Sequence, residues 1–371
     1  MVIRRPRTTP DTSGSDRSDR SDRSDRSGGS GGPAGPRPDD TPPPTIADVA
    51  HEAAVSKTTA SDALRGHGRV SGATRDAVEA AALRLGYSPN RNARSLRTSV
   101  TETVALHIPE VLTSAEYYMS FVFGVTEQAT RAGLNVTMIS SGPLPHRGAL
   151  PQVDGLVLCD PRAGDPVVEA LMNSGLPVVT AERYVGDKES TGVVCSDHET
   201  TTVELLDHLR DMGAVRPALL ASDSTAERAA TVLDTYRRWC VRNGLPDTVH
   251  KAPFGSPPEV QRAEVARMLA GSPETDAVVC AADGAAVTVL PEIRAAGRTV
   301  GKDLLLASCV DSSTMRLTDP AITAIDLRPR DMGAECARLL CDILSGRSPR
   351  GTVRSLPITL NTRASTGLPR P

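Results

Sequence analysis

Apolar positions along this chain fall into three textures. Residues 1–44 include the run "SDRSDRSDRSDRSGGSGGPAGPRP", in which apolar side chains are all but missing. Such a segment cannot offset the entropy of ordering its backbone, which predicts a disordered arm. Its alternating Asp and Arg nearly cancel in charge, so a solvated spacer fits it better than a DNA clamp. From Thr45 onward apolar residues recur three and four apart: Ile46, Val49, Ala50 and Ala53, then Ala60, Ala63 and Leu64 beside Thr59, then Val78, Ala81, Ala82 and Leu85. That spacing places each set on one helical face and predicts three short helices. Thr45 with Asp48, then Ser56, then Ser71 are placed to open them, and Gly86 to close the third. The tight break at Ala54-Val55 makes residues 45–88 a helix-turn-helix domain.

The third texture begins near residue 101. Short apolar runs, "TVALHI", "NVTMIS", "DGLVL", "LPVVT", "GVVC", "RPALLA", "DAVVCA", "DLLLAS", "ITAID" and finally "SLPITL", alternate with amphipathic segments over 116–131, 198–211, 225–243, 284–296 and 330–344. Strand alternating with helix predicts βαβ units in doubly wound parallel sheets. Some 270 residues suggest two lobes with a cleft between them. Residues 89–100, "PNRNARSLRTSV", form the connection. A short helix over Arg91–Leu96 is predicted there, too short to be stable without a partner.

Composition sharpens this picture in two places. The net charge of −3 hides a partition: residues 45–100 hold 8 basic and 5 acidic side chains, while residues beyond 100 hold 26 and 33. A basic module on an acidic body points toward a polyanionic partner. The seven cysteines contain no CxxC pair, and several stand inside apolar runs such as Ala277-Val278-Val279-Cys280, so buried free thiols are expected. With no apolar run near the ~18 residues of a membrane span and no secretory leader, the expected compartment is the cytoplasm. GxSxG occurs only as Gly28-Gly29-Ser30-Gly31-Gly32 in the glycine–serine stretch of the arm, with no apolar strand before it; no Walker loop, HExxH or GxGxxG occurs, and the histidines lack metal spacing. No catalytic residue, metal ligand or cofactor is assigned, and an enzyme is not expected.

The stretch "TIADVAHEAAVSKTTASDALRGHGRVSGATRDAVEAAALRLGYSPNRNARSLRT" resembles the headpiece of the lactose-repressor (LacI/GalR) family of bacterial transcription regulators, nearly without gaps over residues 45–98. The later runs "TVALHIPE", "VDGLVL", "LPVV" and "LASCVD" are similar to that family's periplasmic-binding-protein-like core. The resemblance implies a helix-turn-helix headpiece on a two-lobed α/β core over 101–371, acting as a homodimeric repressor on a pseudo-palindromic operator. The second helix would then enter the major groove, with Lys57, Thr58, Ser61 and Asp62 meeting base edges. Thr45, Ser56, Asn90, Arg91 and Arg94 would hold the backbone, and Leu96 would wedge into a minor-groove step.

Three departures from the family pattern stand out. Asp62 occupies a place where the family commonly has arginine. Two accounts remain open: the carboxylate accepts from a cytosine amino group, or it pairs with Arg65 three residues on. The segment from 141 to 152, "SGPLPHRGALPQ", stands where a full crossover helix is usual, and its prolines and glycines predict a vestigial one. In the cleft, places the family uses for sugar hydroxyls hold Val232, Ala282 with Asp283, and Val310 followed by Asp311. A conventional sugar effector is therefore in doubt. Tyr117, Tyr118, Phe121, Asp160, Arg183, Asp283 and Asp311 remain the candidate effector residues. Two alternatives stand beside the ligand-modulated repressor: a regulator of the same fold with no small-molecule effector, and a ligand-binding protein of periplasmic type that never meets DNA.

Overall fold

The computed structural model of the protein describes residues 44–65, 70–88, 100–109, 115–139 and 152–367, without the side chains of 65 and 115. The readings of the arm over 1–43, of the connecting segment with Asn90, Arg91, Arg94 and Leu96, and of the crossover over 141–151 lie outside the described residues. The chain divides into two compact units, Met1–Pro89 and Asn90–Pro371.

The first unit holds α1 (Ile46–Glu52), α2 (Lys57–Arg65) and α3 (Gly72–Leu85). The Asp48 carboxylate accepts from the Thr45 amide at 2.7 Å and from its hydroxyl at 2.8 Å, closing the start of α1. Ser56 Oγ accepts from the Thr59 amide at 3.0 Å, and Ser71 Oγ from the Thr74 amide at 3.2 Å. Each serine thereby satisfies an amide that would otherwise lack an intrahelical partner. Gly86 ends α3 at φ 64°, the left-handed region that a side chain disfavours. Between α1 and α2 the Val55 amide donates back to the Ala50 carbonyl at 2.9 Å, which makes the turn tight. Val49, Ala60, Val78 and Ala81 are fully buried where the three helices meet. The alanines leave room for close approach of α2 and α3.

In the second unit, β1 (Thr103–His107), α4 (Ala115–Arg131), β2 (Asn135–Ile139), β3 (Gly155–Cys159), α5 (Pro166–Met172), β4 (Val178–Ala181) and β5 (Gly192–Cys195) build one lobe. The chain crosses over. It then forms α6 (His198–Asp211), β6 (Pro217–Asp223), α7 (Glu227–Asn243), β7 (Thr248–Pro253), α8 (Pro258–Gly271), β8 (Ala277–Cys280), α9 (Ala285–Ala295), β9 (Leu305–Ser308), α10 (Ser313–Leu317) and β10 (Thr323–Asp326). A second crossing brings α11 (Pro329–Leu344) back against α4 and β11 (Thr352–Ser355) beside β5. A third sends β12 (Thr359–Asn361) antiparallel against β10.

The first sheet runs β11-β5-β4-β3-β1-β2 and the second β12-β10-β9-β8-β6-β7, parallel throughout apart from β12. Every residue of β3, β4, β8 and β9 is buried, because helices cover both faces of a parallel sheet. Among the elements that escape the sequence reading are β7, an edge strand with the half-polar sequence "TVHKAP", α8 behind it, and the short helices α5 and α10. The run "SLPITL", read as a single strand, spans the third crossing. Ser355 belongs to β11 in one sheet, and Thr359 to β12 in the other.

Candidate functional site

Two places in this fold present chemistry outward. On α2, Lys57 and Thr58 are exposed in the first turn beside the exposed Ser56 cap, and Ser61 and Asp62 follow half-buried one turn later. The first turn carries no acidic residue. A helix N-terminus with free amides, a lysine and two hydroxyls favours an anionic partner. Neither Ser61 nor Asp62 is without a contact of its own within the chain. The side chain of Arg65, the alternative partner for Asp62, lies outside the described residues.

The second place is the cleft of the core. In each sheet the strand order reverses between two neighbours, β1 and β3 in the first lobe, β6 and β8 in the second. Strand ends at such a reversal leave a crevice open to a ligand. Residues that follow those strands line it: Tyr117 and Tyr118 on α4, Asp160 and Arg162 after β3, Ser224 and Arg228 after β6, and Ala281 to Asp283 after β8. Val232 of α7, Phe254 and Gln261 complete the second-lobe wall.

At the centre is an ion pair between the lobes. Arg228 Nη2 reaches Asp160 Oδ2 at 3.3 Å, with side-chain exposures of 13% and 4%. Tyr118 donates its hydroxyl to the same oxygen at 3.3 Å. Asp160 Oδ1 and Arg228 Nε are buried without a hydrogen-bond partner among the described residues. Asp160 also adopts φ 45°, a left-handed backbone that a non-glycine residue rarely takes outside sites held by their surroundings. Burial alone would push the Arg228 guanidinium down in pKa, but the facing Asp160 carboxylate outweighs it and holds the group above its ordinary value. Tyr117 lies beneath the same guanidinium, 6.0 Å from ring centre to Cζ, and meets Tyr118 edge-on at 5.1 Å. The hydroxyls of both tyrosines are pushed far up, first by burial and then by Asp160, so both stay protonated.

Other contacts tie the lobes together around this pair. The Glu116 carboxylate of α4 accepts from the Ser313 amide at 2.7 Å and from its hydroxyl at 2.8 Å. Thr225 donates its hydroxyl to the Ala163 carbonyl at 2.7 Å. The Arg162 guanidinium stacks on the Phe254 ring, 4.6 Å from its centre. Asp283, at the mouth of β8, is pushed up to about 6 by burial, partly offset by the amides of Tyr117 and Gly284 and by Arg228.

The structure separates the effector candidates. Tyr117, Tyr118, Asp160 and Asp283 converge on the cleft. Phe121 is fully buried in the first-lobe core and its backbone carbonyl faces Gly333 of α11. Arg183 is exposed at the end of β4, where its neighbour Glu182 is buried against His198 at 2.9 Å. Asp311 is held by Arg363, with Nη1 at 2.9 Å, and by Asn361 Nδ2 at 3.2 Å, so its carboxylate anchors the third crossing. Sequence reasoning missed Arg228. The signal was there: Arg228 stands four residues before Val232, one helical turn toward the N-terminus of α7, and so on the same face.

Comparison with known proteins bears on both places. Residues 45–90 match the family described as bacterial regulatory proteins, lacI family, and residues 206–366 match the periplasmic binding protein-like domain. The HTH-type transcriptional regulator CelR of Thermobifida fusca is 30% identical over 316 residues, which covers 82% of this chain and 93% of CelR. Catabolite control protein A of Priestia megaterium is 26% identical over 87% of this chain and 99% of its own length. Among solved structures, a CelR–cellobiose complex superimposes with TM-score 0.64 at 27% identity, over 87% of this chain and 99% of that one. The lac repressor dimer bound to operator and the anti-inducer ONPF gives TM-score 0.74 at 24% identity, over 88% and 100%, and speaks for the fold. With a DNA-reading headpiece, a two-lobed core and such identity along most of its length, this chain belongs to the lacI family of bacterial regulatory proteins.

Proposed function

We propose that the protein represses transcription as a homodimer on a pseudo-palindromic operator, in the cytoplasm, with an affinity set by a small molecule in the cleft of its core. The observation that carries the reading is α2: a capped helix start with Lys57 and Thr58 exposed, in a chain that also carries a cleft closed by contacts between two lobes. Lys57 and Thr58 meet base edges, with Ser61 and Asp62 one turn further along the groove. Thr45, Ser56, Asn90, Arg91 and Arg94 hold phosphates, and Leu96 enters a central minor-groove step. Dimerisation draws support from Met119 and Phe123, 42% and 57% exposed one turn apart on α4. Ligand binding changes the balance between lobe arrangements and, by reciprocity, the affinity for operator.

Selection of bound duplexes from a random pool, followed by gel shifts across a salt series, tests this. The reading expects a palindromic consensus, a steep fall of affinity with salt, and a greater loss on the consensus than on random DNA for Leu96→Ala. Recovery of no consensus, with a flat salt dependence, removes it. A second reading, a regulator of this fold that takes no small molecule, draws on the Arg228–Asp160 pair, which closes the cleft with the chain's own groups. CelR has been solved with cellobiose. Whether a disaccharide suits this cleft depends on its walls.

A further inference from the structure

The two lobes of the core meet through groups that titrate. The segment 225–228, at the start of α7, carries three contacts to the first lobe: Thr225 on the Ala163 carbonyl, Glu227 facing the Arg183 amide, and Arg228 on Asp160. Across the cleft, Asp283 at the mouth of β8 accepts from the Tyr117 amide. Tyr117 stands third in α4, so that amide has no acceptor within its own helix and depends on the opposite lobe. With the lobes in contact, the cavity between them is only about 60 Å³. A small-molecule site spans about 300 Å³ or more, so a ligand enters when the lobes part.

Contact between the lobes sets two second-lobe carboxylates against burial. Asp283 Oδ2 is shut off from solvent. Burial is the largest influence on this group; the Tyr117 and Gly284 amides and Arg228 favour its charge, and Glu116 opposes it. For Glu227 burial again comes first, then the like charge of Glu182, with His198 and Arg183 working the other way. Cys195 also faces this group, and its thiol is pushed up, chiefly by burial, so it adds no charge. Both carboxylates are held above their ordinary values in this arrangement. Parting the lobes would take α4 off Asp283 and the end of β4 off Glu227, returning both to water. Arg228 would stay with Asp283 in the second lobe, freed of Asp160, where its charge already favours the ionised form. The ionised carboxylates therefore favour the open arrangement, and the protonated ones tolerate the closed one.

We propose that lobe closure is linked to proton uptake: acid draws the lobes together and seals the cleft, neutral pH lets them part, and Asp283 is the principal site, with Glu227 the second. The sign follows from linkage. Asp283 is pushed up to about 6 with the lobes in contact and returns toward about 4 in water, so the closed form binds the proton more tightly. The stabilisation of closure is fully present below pH 4 and is lost as pH rises through 6. Between pH 7.5 and pH 5.0 the ratio of closed to open molecules should rise about tenfold. Proton-linked closure stands apart from the repressor reading; that the seal excludes an effector, and that it reaches the operator, rests on that reading.

Hydrogen exchange of the full-length protein tests this at the Tyr117 amide. Labelling times are scaled to the intrinsic exchange rate at each pH and kept too short for the buried β8 amides to exchange, so the readout is parting of the lobes and not unfolding. Protection of the Tyr117 amide should rise about tenfold from pH 7.5 to pH 5.0. Asp283→Asn, whose carboxamide can still accept from that amide, should be protected at pH 7.5 and lose most of the response to pH. Glu227→Gln should raise protection of the Arg183 amide at pH 7.5, and the parent's pH series needs no variant to fold. Protection that is flat with pH, or that falls in acid, overturns the proposal. So does an Asp283→Asn variant that keeps the parent's tenfold response. Gel shifts of parent and Asp283→Asn at pH 7.5 on the selected operator keep the two readings apart. A shifted closure with unchanged operator affinity sinks the coupling to DNA and leaves proton-linked closure standing, whereas specific operator binding with no response of the Tyr117 amide sinks the closure and leaves the regulator standing.

Discussion

Removing either half of the Arg228–Asp160 pair should expose what holds the cleft closed. At 3.3 Å the attraction between unit charges is about 5 kcal/mol for an effective dielectric near 20, and desolvation of both groups takes back most of it. The single variant Arg228→Met leaves the Asp160 carboxylate 4% exposed with only the Tyr118 hydroxyl for company. A buried charge stripped of its partner costs about 3–5 kcal/mol, and the 13% exposure of Arg228 argues for the lower end, about 3 kcal/mol. Asp160→Asn should cost a similar amount by stranding the guanidinium. The double variant, with no charge left to bury, should return to within about 1 kcal/mol of the parent. Urea unfolding followed by the emission of Trp239 gives the four stabilities. That indole is 2% exposed in the second lobe and donates to Asp207 at 2.9 Å, so it reports core unfolding. A coupling energy below about 0.5 kcal/mol from the cycle would mean that solvent screens the pair, and would refute the argument that it latches the lobes.

Three further outcomes follow from the same structure. Gly333 of α11 packs so closely on α4 that an added Cβ would lie 2.2 Å from the Phe121 carbonyl oxygen, so Gly333→Ala should lose about 3 kcal/mol; an unchanged melting temperature would show that the helices can part freely. Asp283, pushed up to about 6 by burial, is neutral below its unfolded value near 4 and ionises in an apolar wall as pH rises through 6. Its contribution to stability is therefore present in acid and lost by pH 7, by up to about 3 kcal/mol. Asp283→Asn should accordingly raise the melting temperature relative to the parent at pH 7.5 and cease to do so near pH 4; a difference independent of pH would contradict this. Finally, Asp62→Arg should change the preferred base at one symmetric pair of operator positions, by about 1–3 kcal/mol of discrimination, whereas an unaltered consensus from selection would assign Asp62 to a contact within the headpiece.

Much of this protein was legible along the chain because local chemistry specifies it. Thr45, Ser56 and Ser71 cap their helices through hydroxyls or amides within three residues. The apolar runs at β3, β4, β8 and β9 announce strands covered on both faces. Edge strands announce less. β7 reads "TVHKAP" because one side of an edge faces solvent, so the periodic signal fails.

What the tertiary structure alone decided was the content of the cleft. Arg183 and Asp311 follow strands much as Asp160 does, and Phe121 stands one turn beyond Tyr117 and Tyr118 on α4, yet Phe121 is buried in the core, Arg183 is exposed, and Asp311 is bound by Arg363. Arg228 entered the site because it is one turn from Val232 on α7, and because folding carries Asp160, 68 residues earlier, to within 3.3 Å of it. Helix caps and strand runs depend on neighbours in sequence, and a sequence displays its neighbours. An ion pair across two lobes depends on where two sheets come to rest, which no local pattern encodes.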